Sequence, residues 1–65
     1  MFDLSKVFLW RTRKKLTQAE LSKRSDITIA TISRIENGQY GNVDTKTIEK
    51  LAYGLDIQPA AFLKK

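Results

Sequence analysis

The spacing of the helix-start signals most constrains how this chain can fold. Thr17 is followed three residues later by Glu20, and Thr28 stands eleven residues beyond Thr17, ahead of a run that closes at Asn37-Gly38. Thr-x-x-Glu is a capping box: the threonine hydroxyl accepts an orphan N–H of the first helical turn, and the glutamate reaches back to the threonine's own N–H. Thr28 is an N-cap of the same kind, with Thr31 three residues on. Asn-Gly is a stop, because glycine takes the left-handed backbone that helix C-termini favour. These signals leave room for one short helix from Gln18 to about Arg24, a turn near Ser25 to Ile27, and a second helix over about residues 28–37.

The flanks read as helices too. Asp3 caps a first helix in which Leu4, Val7, Phe8 and Arg11 share a face, with Trp10 beside them, fraying near Lys14 or Lys15. Gln39 to Val43 reads as loop. Asp44 caps a fourth helix whose Ile48, Leu51, Ala52 and Leu55 keep a 3.6-residue period. Pro59, suited to a first helical position, opens a short fifth helix through Leu63. No alternating strand pattern or two-residue hairpin turn competes, and no repeat, linker or low-complexity segment divides the chain. The expected fold is all-α: one domain over residues 1–65, a compact bundle of five short helices with a helix-turn-helix at helices 2 and 3.

A chain of 65 residues buries only about 60% of the surface its unfolded form exposes, so stability is modest. Cys and His are absent, which removes disulfides, thiolate chemistry, the usual zinc sets and imidazole catalysis. No paired carboxylates stand at a workable helical spacing either, so no enzyme, cofactor or metal is expected. There is no apolar run long enough to span a membrane, and MFDLSKVFLWRTRKK places its charges after its apolar part, the reverse of a secretory signal. The expectation is a soluble cytoplasmic protein with no membrane partner. The net charge of +5 is local: residues 11 to 34 hold seven basic side chains against Glu20 and Asp26, and the rest carries five of each sign. A basic block on a small chain attracts polyanions, unless it is only a solvated helix face.

Two helices joined by about three residues let one cross DNA while the next enters the major groove. Within the second, DITIATISRIENG, small or polar residues sit among isoleucines three apart, followed by a single Arg34. At this point LTQAELSKRSDITIATISRIENG resembles the helix-turn-helix of the phage-repressor family, the XRE-like or lambda-repressor-like domains. The matching residues are Leu16-Thr17-Gln18, Glu20-Leu21 and Ile32-Ser33-Arg34-Ile35-Glu36-Asn37-Gly38, extending to Arg11 and to Leu51, Ala52, Leu55 and Ile57. The resemblance covers about residues 7 to 63.

It implies a sequence-specific regulator that binds double-stranded DNA, most simply a repressor, with helix 3 in the major groove. The base-reading edge would be Thr28, Ile29, Ala30 and Arg34, with Thr31 and Ser33 nearby. Ile29 and Ala30 can pack on thymine methyls and Arg34 can take guanine O6 and N7 in a bidentate pair. Two alternatives stay open: Ile29 as part of the Ile32 and Ile35 core stripe, and Arg34 as a phosphate contact. Gln18, first in helix 2, would donate to a phosphate with the positive helix end behind it. Thr17, Asn37, Tyr40, Asn42, Lys46, Arg11, Arg13 and Lys14 complete the expected phosphate set, though Tyr40 can equally pack on the domain surface. Arg11 would also pair with Glu36, tying helix 1 to the end of helix 3. Leu21, Ile27, Ile32 and Ile35 would lock helices 2 and 3 together, with Ser22 as the small residue at their approach.

This chain departs from the family pattern in places. Asp26 and Asp56 stand where glycine is usual, and loop 39–43 lacks the Lys or Arg of many relatives. Gly54 offers an earlier end to helix 4. The resemblance further implies a homodimer on an inverted-repeat operator, with Ile57, Phe62 and Leu63 as apolar interface residues or, for the last two, core contacts. An antitoxin-like or other protein-interaction module, with a protein partner, is the competing reading. The chain is either a minimal regulator or a piece of a longer one.

Overall fold

Four α-helices follow one another in a computed structural model of the chain, which describes residues 3–41 and 43–63. They are α1 (Ser5–Arg13), α2 (Gln18–Ser25), α3 (Ile29–Glu36) and α4 (Thr45–Leu55), followed by a 3₁₀ turn over Pro59–Phe62. The expected fifth helix is therefore this turn. Its hydrogen bonds run three residues back, from Ala61 N–H to the Gln58 carbonyl and from Leu63 N–H to that of Ala60. Four residues opened by a proline are too few for an i−4 ladder. No strand element is present among the described residues.

The starts of α2, α3 and α4 are held as their sequence dictates, whereas the N-cap position of α1 is Leu4, with no side-chain cap. The Thr17 hydroxyl accepts the Glu20 N–H at 3.0 Å and the Glu20 carboxylate accepts the Thr17 N–H at 2.8 Å. Thr28 and Asp44 accept from the N–H groups of Thr31 and Thr47. Asp3 works one step outside α1, accepting both the N–H and the hydroxyl of Ser5.

The ends use left-handed residues, only one of them glycine: Lys15, Asp26, Gly38 and Asp56, with φ of 58°, 60°, 72° and 58°. Around Lys15, Gly38 and Asp56 the next N–H reaches back to the carbonyls of Arg11, Arg34 and Ala52, the paired bonding of a Schellman motif. In two of the three, the residue that follows, Leu16 or Ile57, folds back onto the core. Gly54 does not end α4, which runs on to Leu55.

Val7, Leu21, Ile27, Ile32, Ile35, Ile48, Leu51, Ala52, Leu55 and Phe62 form one buried cluster. Gly54 sets the approach of α2 to α4: a Cβ there would lie 3.0 Å from the Cβ of Ser25 and 3.1 Å from its backbone nitrogen. Ser25 is buried, its hydroxyl donating to the Leu21 carbonyl at 2.7 Å. Ser25 is thus the small residue where α2 approaches α4; Ser22, expected where α2 meets α3, is half-buried. The far end is stitched to the near one by the Asp3 N–H on the Phe62 carbonyl and the Lys6 ammonium on that of Leu63.

Candidate nucleic-acid interface

Asp26, Ile27 and Thr28 are all that separates α2 from α3. Asp26 reverses the chain through left-handed space, Ile27 plugs into the core, and Thr28 starts the next helix. α3 then divides cleanly. Ile32 and Ile35 are buried, whereas Thr28, Ala30 and Arg34 are exposed and Ile29 is 47% exposed. Of the two readings of Ile29, exposure favours the outward one: spacing allows both, but Ile29 does not share the burial of Ile32 and Ile35.

The hydroxyls of this edge are partly committed. Thr28 accepts the Thr31 N–H and donates its own proton to the Thr31 Oγ1 at 2.9 Å. Thr28 thus spends its hydroxyl within the first turn of α3, and Thr31 is half-buried. Ser33 is half-buried and accepts from Asn37 Nδ2 at 3.4 Å. No acidic group among the described residues pairs with Arg34.

Beside this edge lies a network that joins α1, α2 and α3. Arg11 Nε donates to Glu36 Oε2 at 2.7 Å and Nη2 to Oε1 at 2.9 Å, while Nη1 donates to the Leu16 carbonyl at 2.9 Å. The side chains are 13% and 5% exposed, respectively. The hydrogen bond to Glu36 raises the Arg11 pKa above its ordinary value; burial opposes that and the Glu36 charge assists it. The expected ion pair is thus present, and its geometry withdraws Arg11 from the free cations. Gln18 joins the same carboxylate, its Nε2 donating to Glu36 Oε1 at 3.0 Å, a bond for which the sequence held no signal.

The remaining expected contacts lie as follows. Thr17 is exposed, and Gln18 and Ala19, at the first two positions of α2, have N–H groups without an intrahelical acceptor. Arg13, Lys14 and Lys46 are exposed, with the Arg13 guanidinium 5.3 Å from the centre of the Trp10 ring. Asn37 is exposed. Tyr40 is half-buried, its ring packed against the core. Asn42 lies outside the described residues. Among the dimer candidates, Phe62 is 0% exposed: its side chain belongs to the chain's own core, which corrects its expectation as interface surface. Ile57 is half-buried and Leu63 exposed. No helix is long and apolar enough to cross a membrane among the described residues.

Comparison with known proteins agrees with this geometry. The family model described as helix-turn-helix matches residues 9–62. Two Bacillus subtilis (strain 168) proteins, the uncharacterized HTH-type transcriptional regulator RghRB and the HTH-type transcriptional repressor RghR, are each 47% identical over 47 residues. That match takes in 72% of this chain but 34% and 35% of theirs, so the chain spans about a third of the length of these curated relatives. The crystal structure of the restriction-modification controller protein C.AhdI from Aeromonas hydrophila is similar at a TM-score of 0.85 and 33% identity, over 92% of this chain and 89% of that one. The chain belongs to the helix-turn-helix family of DNA-binding regulators, in its XRE-like form.

Proposed function

We propose that this chain binds double-stranded DNA in a sequence-specific way as a transcriptional regulator, most simply a repressor that occupies an operator. Its work is recognition rather than catalysis, and its place is the cytoplasm of a bacterium or of a cell carrying a phage. The observation that carries this reading is the bare leading edge of α3. Ile29, Ala30 and Arg34 are exposed, while the same helix buries Ile32 and Ile35. An apolar residue half out of the core, on the same helix as an exposed arginine that no acidic group among the described residues pairs, fits a major groove that offers thymine methyls and a guanine.

Gln18, the free N–H groups that open α2, Thr17, Asn37, Arg13, Lys14 and Lys46 seat the domain on phosphates, and these contacts set register without reading sequence. Two copies, joined through the surface that carries Ile57 and Leu63, read an inverted repeat.

Selection from random duplexes tests this. The expected enrichment is thymine beside guanine in two inverted half-sites. Arg34→Ala relaxes the guanine position, where a bidentate contact supplies about 1–3 kcal/mol of discrimination. A uniform loss of affinity for every duplex would instead assign Arg34 to a phosphate.

A further inference from the structure

The carboxylate of Glu36 does two things at once. It holds Arg11 through both oxygens, and its Oε1 also accepts Gln18 Nε2 at 3.0 Å. Arg11 in turn holds the Leu16 carbonyl, two residues before Gln18. A ring of hydrogen bonds thus runs from α1 through the lead-in to α2, across the Gln18 side chain, and back by way of the end of α3.

A carboxylate is an acceptor only, so it discriminates between the two ends of a carboxamide. With Nε2 toward Glu36 the bond forms. With the amide turned over, two oxygens would face each other at the same distance. The orientation of the Gln18 amide is therefore set by Glu36, and Glu36 is itself fixed by a nearly buried guanidinium. One N–H of Nε2 is used by Glu36; the amide is planar, so fixing it also fixes the second, which no acceptor among the described residues takes up.

We infer that Glu36 is a positioning residue for DNA, orienting the Gln18 carboxamide so that its second N–H is ready for a phosphate before the duplex arrives. The inference rests on the DNA-binding reading above. Its consequence is energetic: a long side chain ordered in advance loses no rotamer freedom on binding. A Glu36 that served only to brace α1 against α3 would leave the contribution of Gln18 unaltered when the pair is replaced.

The test uses a generic-sequence DNA duplex at low ionic strength, since phosphate contacts do not depend on sequence. Gln18→Ala is expected to weaken binding about tenfold, the scale of one hydrogen bond to a charged group. In a background in which Arg11→Met and Glu36→Met replace the pair together, so that neither charge is stranded, the same Gln18→Ala change is expected to cost less than about twofold. Equal losses in both backgrounds would overturn the positioning role. A wild-type chain that leaves the duplex unbound would overturn the DNA-binding reading itself, a result of a different kind.

NMR of the unaltered protein gives a second readout that needs no variant to fold. The side-chain amide nitrogen of Gln18 should relax as a rigid group on the ps–ns timescale, unlike those of the exposed Gln39 and Gln58. Equal mobility of the three side-chain amides would overturn the inference.

Discussion

Gly54 illustrates how one residue can be set by a neighbour on another helix. On propensity alone, alanine would improve α4 there by about 1 kcal/mol. The added methyl, however, would stand 3.0 Å from Ser25 Cβ, 3.1 Å from Leu21 Cδ1 and 3.1 Å from the Ser25 backbone nitrogen. The last of these belongs to α2 itself and cannot swing aside, and overpacking costs about 1–3 kcal/mol. The clash outweighs the gain in propensity. Gly54→Ala is expected to destabilise the fold by about 1 kcal/mol net, a fall of about 4–8 °C in Tm for a domain this small, read by thermal denaturation. An unchanged or higher Tm would mean that α2 and α4 can separate freely. None of this was legible in the sequence, where Gly54 reads as an early end to helix 4; its partner Ser25 lies 29 positions away, and only packing brings the two together. Ile29 was half legible. Its spacing fits both the core stripe and the outer edge, and exposure decides between them.

At the scale of elements, starts were more legible than ends. Thr17, Thr28 and Asp44 carry caps that need only local geometry, and each cap forms with the residue that its spacing names. Ends depend on which residue accepts left-handed backbone, and here Lys15 and Asp56 do so without glycine's freedom. Left-handed space costs an ordinary residue about 1–2 kcal/mol, and a new glycine returns about 0.5–1 kcal/mol of that as unfolded-state entropy. Asp56→Gly is therefore expected to stabilise by about 0.5–1 kcal/mol, measured by urea denaturation; a loss would show that the aspartate side chain contributes more than its backbone costs.

The caps also contribute to the acid response. The Glu20 pKa is lowered chiefly by the Thr17 N–H and then by its hydroxyl, and that of Asp44 by the side chain and N–H of Thr47. Lowered folded values mean that the charged caps stabilise fully above the ordinary carboxylate range, near pH 4. That contribution is lost as pH falls through the folded values. Glu20→Gln with Asp44→Asn keeps an acceptor at each cap and removes its titration. Tm should then fall less steeply below about pH 4 than in the unaltered chain. Identical slopes would place the acid sensitivity in other carboxylates.

The whole molecule bounds how much DNA one copy can read. Its longest Cα dimension is 27 Å, short of the roughly 34 Å between major-groove faces one helical turn apart. On the proposed reading, one chain therefore reaches one half-site and two half-sites take two chains. The charge available for that task is smaller than the composition implies, because Arg11 is tied to Glu36 and the Leu16 carbonyl. Arg13, Lys14 and Lys46 remain as exposed cations of the proposed phosphate set. Gln18, Thr17 and the backbone amides are neutral and displace no counterion. Each cation on a phosphate contributes about −0.9 to the slope of log affinity against log salt, so three per copy give roughly −2.7, and two copies roughly −5.4. Binding titrations over a range of salt concentrations should approach the larger figure on an inverted repeat and the smaller on one half-site. Lys46→Ala should reduce the slope by about 1 for each copy bound, without changing which sequence is preferred. A slope near zero would mean that the partner of this surface is an apolar protein face rather than a duplex.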